Sequence, residues 1–145
     1  MATASPIEPK PLGRTGIPVA PVIFGTMARD VAQPASERED LVRRALDLGL
    51  TTLDTAPLYE FGESERIIGR AIKGQRDRVV VATKVGVRWD DDHGDLLFSF
   101  THDGETTKVR RDSRPAAVRA DVEGSLQRLG IDCLDVVQVH QFDPH

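Results

Sequence analysis

Long apolar runs, an excess of positive charge and paired cysteines are all missing from this chain of 145 residues. Each absence removes a class of function. No segment approaches the roughly 20 consecutive apolar residues that a membrane-spanning helix needs. The opening segment, Met1 to Lys10, is polar and proline-bearing and lacks the apolar core of a secretory signal. It reads as a flexible lead-in, and a cytoplasmic location is the default expectation. The formal net charge is −4 with Lys and Arg scattered along the chain, so no basic stripe offers itself to nucleic acid. Cys133 is the single cysteine and cannot close an intrachain disulfide, which fits a reducing compartment. Lying in an apolar run, it reads as a small buried side chain. The glycine-rich dinucleotide loop is missing too: Gly13-Arg14-Thr15-Gly16 does not match its spacing and does not join a strand to a helix.

What is present suits one α/β domain. The hydrophobic fraction is 39% and the charged fraction 29%, enough for a core and a solvated surface. Two close glycines in Leu12 to Pro18 predict a small hairpin, and Val22 to Gly25 reads as a short buried strand. Ser36 and Glu39 form a capping-box pattern, with Leu41, Ala45 and Leu48 as the apolar face behind it and Val42 and Leu46 beside them. Gly49 stops that helix, and Leu50 to Thr55 reads as a strand. A second helix is predicted from about Glu63 to Lys73, followed by the β-branched strand Val79 to Thr83. The polar stretch from Gly86 to Asp112 follows, with a local strand or hairpin around Leu96 to Phe100. Ser113 is read as the cap of a third helix that carries Val118, Val122, Leu126 and Leu129 and ends at Gly130. Cys133 to Val139 is the fourth strand.

Strand and helix therefore alternate, which implies a parallel sheet with right-handed crossovers. In β/α barrels the chemistry gathers at the carboxyl ends of the strands. Asp54, Lys84 and His140 fall at three such ends, with Tyr59 in the loop after Asp54. Together they make chemical sense. A tyrosine is a very weak acid near neutral pH. A lysine beside it favours the phenolate, and an aspartate holds the lysine charged and in place. A histidine can donate a hydrogen bond that orients a carbonyl oxygen. Singly, each has a plain structural reading as a turn residue, a surface lysine, a structural histidine or a packed ring.

The wording around these positions resembles the aldo-keto reductase family. The resemblance rests on Pro11 to Gly16, Phe24-Gly25-Thr26, Leu53 to Tyr59 with Gly62 to Glu65, Ala82-Thr83-Lys84, Ser125 to Gly130, and Leu134 to His140. It implies an α/β fold: the first half of a TIM (β/α)8 barrel, strands one to four, preceded by a small amino-terminal hairpin. The partial barrel domain would span 11–145, after the lead-in at 1–10. The resemblance also implies an oxidoreductase that reduces aldehydes or ketones, or oxidises the matching alcohols and sugars, with NADPH or alternatively NADH. Asp54, Tyr59, Lys84 and His140 would be its catalytic residues, with Tyr59 the acid and base. Gly25, Thr26, Met27 and Asp54 would meet the cofactor, and a small carbonyl compound would be the substrate. Trp89 and Phe98 stand as candidates either to line the substrate pocket or to pin the long loop.

A complete barrel of this kind takes about 250 residues, so the chain reads as a fragment. Two rival readings follow: a half-barrel that associates with another chain through its open strand edges, or a non-catalytic binding or regulatory subunit. A metal-dependent hydrolase using His140, Asp143 and His145 is a further, chemically distinct reading.

Overall fold

A computed structural model describes residues 8–27, 33–102 and 104–144. The first seven residues of the expected lead-in, and His145 of the metal reading, lie outside the described residues. The expected hairpin is present as β1 (Lys10–Pro11) paired antiparallel with β2 (Pro18–Val19). Four parallel strands then form one sheet: β3 (Phe24–Gly25), β4 (Thr52–Asp54), β5 (Val80–Val85) and, after an inserted sheet, β9 (Val136–Val139). Their spatial order is β3-β4-β5-β9. Helices α1 (Ala35–Asp47), α2 (Glu63–Ala71) and α3 (Pro115–Leu129) make the connections, with α2 packed against both others. This is half of a β/α barrel in strand order and connection.

Successive strand residues point to opposite faces. Phe24, Leu53, Val79 and Val81 turn toward the helices and meet Val42, Leu46, Ile67, Ile68, Ala71, Ile72 and Leu129 in one core. Thr83 joins that side, because its hydroxyl donates to Glu65 of α2 at 2.7 Å. The alternate residues Asp54, Ala82 and Lys84 therefore face the other way. Register carries this parity across the sheet: Gly25 opposes Asp54, Asp54 opposes Ala82, and Lys84 opposes Gln138. His140, two residues past Gln138, continues the ladder by donating its N–H to the Val85 carbonyl at 2.9 Å.

α2 and α3 cross closely at Gly69, where a Cβ would run into the Leu129 carbonyl. Any larger residue there would force the helices apart and open the core between them.

Several local expectations change. α1 starts at Ala35 after Pro34, with no side-chain cap. That entry puts Ser36 inside the first turn rather than at the capping position. Glu39 instead accepts from Arg43 at 3.0 Å and reaches Arg70 of α2. The buried face of α1 is Val42, Ala45 and Leu46, whereas Leu41 and Leu48 are exposed. Ser113 does not cap α3 either: Arg114 holds that position without a side-chain bond, and the Ser113 hydroxyl is buried with no hydrogen-bond partner. The strictly buried side of α3 is Ala117, Asp121, Ser125 and Leu129, with the Val118, Val122 and Leu126 row only half-buried. Polar groups enter that face because they have partners there. Asp121 accepts from Arg88 at 2.7 Å and from the Gly86 N–H at 2.8 Å. Burial holds its carboxyl above the usual range, against the pull of those bonds.

Val22 and Ile23 are exposed, so only Phe24–Gly25 forms the first strand. Cys133 is exposed as well, contrary to the buried reading, because it lies in the irregular connection before β9.

The polar stretch after Lys84 is more ordered than a hairpin. It forms a three-stranded antiparallel sheet of β6 (Val87–Arg88), β7 (Asp95–His102) and β8 (Glu105–Arg111), in the order β6-β8-β7. Among the described residues no helix is long and apolar enough to cross a membrane.

Candidate active site

The face shared by Gly25, Asp54, Lys84 and His140 leads to the carboxyl ends of the strands. There the Lys84 ammonium donates to both oxygens of Asp54, each at 2.8 Å, and to the Thr55 carbonyl at 2.9 Å. The pair is largely shielded, with 15% of the Lys84 side chain and 29% of the Asp54 side chain exposed. Charge attraction in such a place is screened less than at a free surface.

Tyr59 arrives from the loop after β4. The Thr55 N–H donates to the Ala82 carbonyl at 2.9 Å, and Tyr59 starts a short 3-10 turn, Tyr59–Gly62. Its ring lies under the Lys84 ammonium, 4.8 Å from the ring centroid. The His140 ring meets it edge-on at 5.9 Å between centroids. The four residues singled out from the sequence thus converge on one spot.

Burial holds the His140 imidazole below its ordinary value, and the neighbouring Lys84 charge adds to that, with Asp54 opposing. The ring is therefore neutral near neutral pH, with one N–H to donate and one nitrogen to accept.

The Tyr59 turn carries unusual backbone. Glu60 and Phe61 both adopt left-handed conformations with φ of 52°, each costing on the order of 1–3 kcal/mol. Glu60 pairs with Arg38 of α1, and Phe61 lies against Trp89, which directly follows β6, and Phe100 of β7. Trp89 thus packs on the turn that follows Tyr59. Phe98, the other aromatic candidate, is 47% exposed and outside this cluster.

The expected cofactor shelf at the end of β3 is divided in character. Gly25 and Met27 are exposed. The Thr26 hydroxyl instead turns inward, donating to the Asp54 carbonyl at 3.0 Å and sharing a bond with Ser64 at 2.8 Å. Ser64 also meets the Thr55 hydroxyl at 3.1 Å, so one buried serine of α2 joins the ends of β3 and β4.

Its neighbour Glu65 is wholly buried and takes Arg128 of α3 at 2.6 Å besides Thr83. In the sequence Glu65 stood out only as the end of the Gly62 to Glu65 motif. Its partners lie 63 and 18 residues away, which no local pattern signals.

Among the described residues there is no cluster of three potential metal ligands, and the metal reading also needs His145, which lies outside them. Asp143 accepts from the Ser113 N–H at 2.9 Å. A cleft of about 1250 Å³ lies near Thr51, Val79 and Val80 at the opposite ends of β4 and β5. It is remote from the four converging residues, and their chemistry outweighs its size as a guide to the site.

Parallel strands joined by helices define a partial β/α barrel, with a lysine-aspartate pair and a tyrosine at the strands' carboxyl ends. A model of the aldo/keto reductase family matches residues 21–145, and the chain belongs to that family. It is 37% identical over 138 residues to the NADH-specific methylglyoxal reductase of Escherichia coli (strain K12), covering 90% of this chain and 40% of that protein. The solved aldo-keto reductase AKR11C1 from Bacillus halodurans, in its holo form, superposes with a TM-score of 0.75 at 30% identity, over 92% of this chain and 40% of that one. An aldo-keto reductase from Klebsiella pneumoniae in complex with NADPH superposes with a TM-score of 0.64 at 29% identity, over 90% of this chain and 38% of that one. The chain spans about two fifths of the length of the curated relatives it matches.

Proposed function

We propose that this chain is the catalytic half of an oxidoreductase that reduces aldehydes or ketones and runs the reverse alcohol oxidation, with NADPH as donor and NADH as its alternative. The observation that carries the reading is the Lys84 ammonium, clamped by Asp54 at 2.8 Å and set 4.8 Å from the Tyr59 ring centroid. A purely structural ion pair has no need of a phenol beside it.

The open end of β3 fits a flat ring: Gly25 is exposed, and nothing stands within 4 Å of where its Cβ would be. Gly25, Met27 and Asp54 would border the nicotinamide, while Thr26 shapes the strand end from within. When bound, the nicotinamide supplies the hydride that the carbonyl carbon receives.

The protein's own residues supply the proton and the orientation. Tyr59 gives its phenolic proton to the carbonyl oxygen as charge develops there. Lys84 stabilises the phenolate that remains, and Asp54 keeps Lys84 in position. Neutral His140 donates its ring N–H to the same carbonyl oxygen and fixes its direction. In alcohol oxidation the phenolate takes the hydroxyl proton back. The relatives named above support both nucleotides, one being NADH-specific and one holding NADPH.

Tyr59→Phe in the full-length protein tests the reading. Carbonyl reduction should fall by at least about 10²-fold, with nucleotide binding retained. Normal turnover in that variant would remove Tyr59 as the acid.

A second reading, in which the half-barrel closes against another chain, draws on exposed Val22 and Ile23 beside β3 and Val137 and Val139 in β9. Sedimentation of this chain across a concentration series would detect such a complex, and a strictly monomeric chain would discard it.

A further inference from the structure

Left-handed backbone is disfavoured for residues with side chains, and two in succession persist only where their surroundings impose them. Glu60 and Phe61 are such a pair, directly after Tyr59. Both are held from outside their own loop. Glu60 pairs with Arg38 of α1, with 13% and 11% of the two side chains exposed. Phe61 stacks on Phe100 at 5.3 Å and meets the edge of Trp89 at 5.4 Å. Phe100 lies in β7 of the inserted sheet, and Trp89 directly follows β6.

That sheet is itself moored to the barrel. Arg88, next to Trp89, donates to Asp121 of α3 at 2.7 Å and to the Ala117 carbonyl at 3.1 Å. A continuous path of contacts therefore runs from α3 through Arg88 and Trp89 to Phe61 and on to Tyr59.

The geometry points to a positioning role for the Phe61–Trp89–Phe100 clasp: the inserted sheet grips Phe61 and thereby sets the ring of Tyr59 against His140 and Lys84. This inference rests on Tyr59 being the acid only for its catalytic consequence. The positional claim stands on the contacts. Burial alone is a poor account of the cluster, because Phe61 remains 40% exposed. Packing alone would also be served by an ordinary backbone conformation. The left-handed pair matters because it turns the chain between a ring that faces Lys84 and a ring that faces the insert.

Trp89→Ala and Phe100→Ala in the full-length protein test it, with Trp89→Phe as the conservative control. The Tyr59 ring is read by NMR with labelled tyrosine and histidine, its signal assigned by its loss in Tyr59→Phe. Both alanine variants should lose the through-space contact between the Tyr59 and His140 rings. They should also lose about 10- to 100-fold in kcat, with KM for the nucleotide unchanged. Trp89→Phe should restore both. Loss of the ring contact with kcat intact would uphold the clasp and remove Tyr59 as the acid. Retention of ring contact and kcat in both alanine variants would overturn the clasp. So would loss of cooperative melting in both, since the cluster would then serve the fold as a whole.

Discussion

β5 and β9 are neighbours with similar spelling, Val-Val-Ala-Thr-Lys-Val and Val-Val-Gln-Val, yet they live in different surroundings. β5 is flanked by β4 and β9, and five of its six residues are buried, Lys84 being the exception. Among the described residues β9 has β5 on one side only, and Val137 and Val139 are 43% and 62% exposed. These valines share the helix-facing side of Thr83, but among the described residues no helix covers them. A strand's burial is a property of its neighbours, and β-branched composition alone does not tell the two cases apart.

That contrast can be broken in three places. The largest effect is expected at Glu65, the buried anchor of β5 that β9 lacks. Glu65→Ala strands the Arg128 guanidinium and frees the Thr83 hydroxyl, and should cost about 3 kcal/mol, read from urea unfolding. A loss under about 1 kcal/mol would mean that water replaces the carboxylate there. Next comes the paired substitution of Val81→Ala and Val139→Ala. Removing the methyls of wholly buried Val81 should cost about 2 kcal/mol, and of exposed Val139 less than about 0.5 kcal/mol. Equal losses would contradict the burial contrast.

The smallest effect concerns His140, the one place where the end of β9 enters shielded surroundings. Its folded value is depressed below the ordinary 6.5. The unfolded chain therefore binds the proton more readily, so stability is full above about 6.5 and declines as pH falls through the folded value. The urea midpoint should drop between neutral and mildly acidic pH, and His140→Gln should flatten that drop. In the same protein Lys84→Met should raise the His140 value, because a repelling charge has gone. An NMR titration of the His140 ring that moves downward instead would reverse the assigned cause.

Much of the fold was legible from the sequence because alternating periods are local. The strand-helix rhythm needs only near neighbours, and so does the parity that sets Lys84 opposite in direction to Thr83. The convergence of Asp54, Tyr59, Lys84 and His140 followed from one rule about strand ends, joined to a family resemblance. What stayed hidden depended on distant partners or on small shifts of phase. Ser36 and Ser113 looked like caps, but each helix starts at a position where another residue takes that place. The inserted sheet was visible only as a local strand or hairpin around Leu96 to Phe100, because its rungs pair with residues across a polar loop. The Glu60–Phe61 turn gave no signal at all, since neither residue type announces left-handed backbone.

The Lys84 ammonium has a further consequence. A protonated lysine carries three N–H bonds, and three acceptors stand within 2.9 Å of it: both Asp54 oxygens and the Thr55 carbonyl. The two Asp54 oxygens belong to one carboxylate and lie close enough together to share a single N–H, so they and the Thr55 carbonyl tether the ammonium without using all three of its hydrogens. Lys84 is thereby held as a fixed positive charge beside the Tyr59 ring, with a hydrogen still free to turn toward whatever stands there.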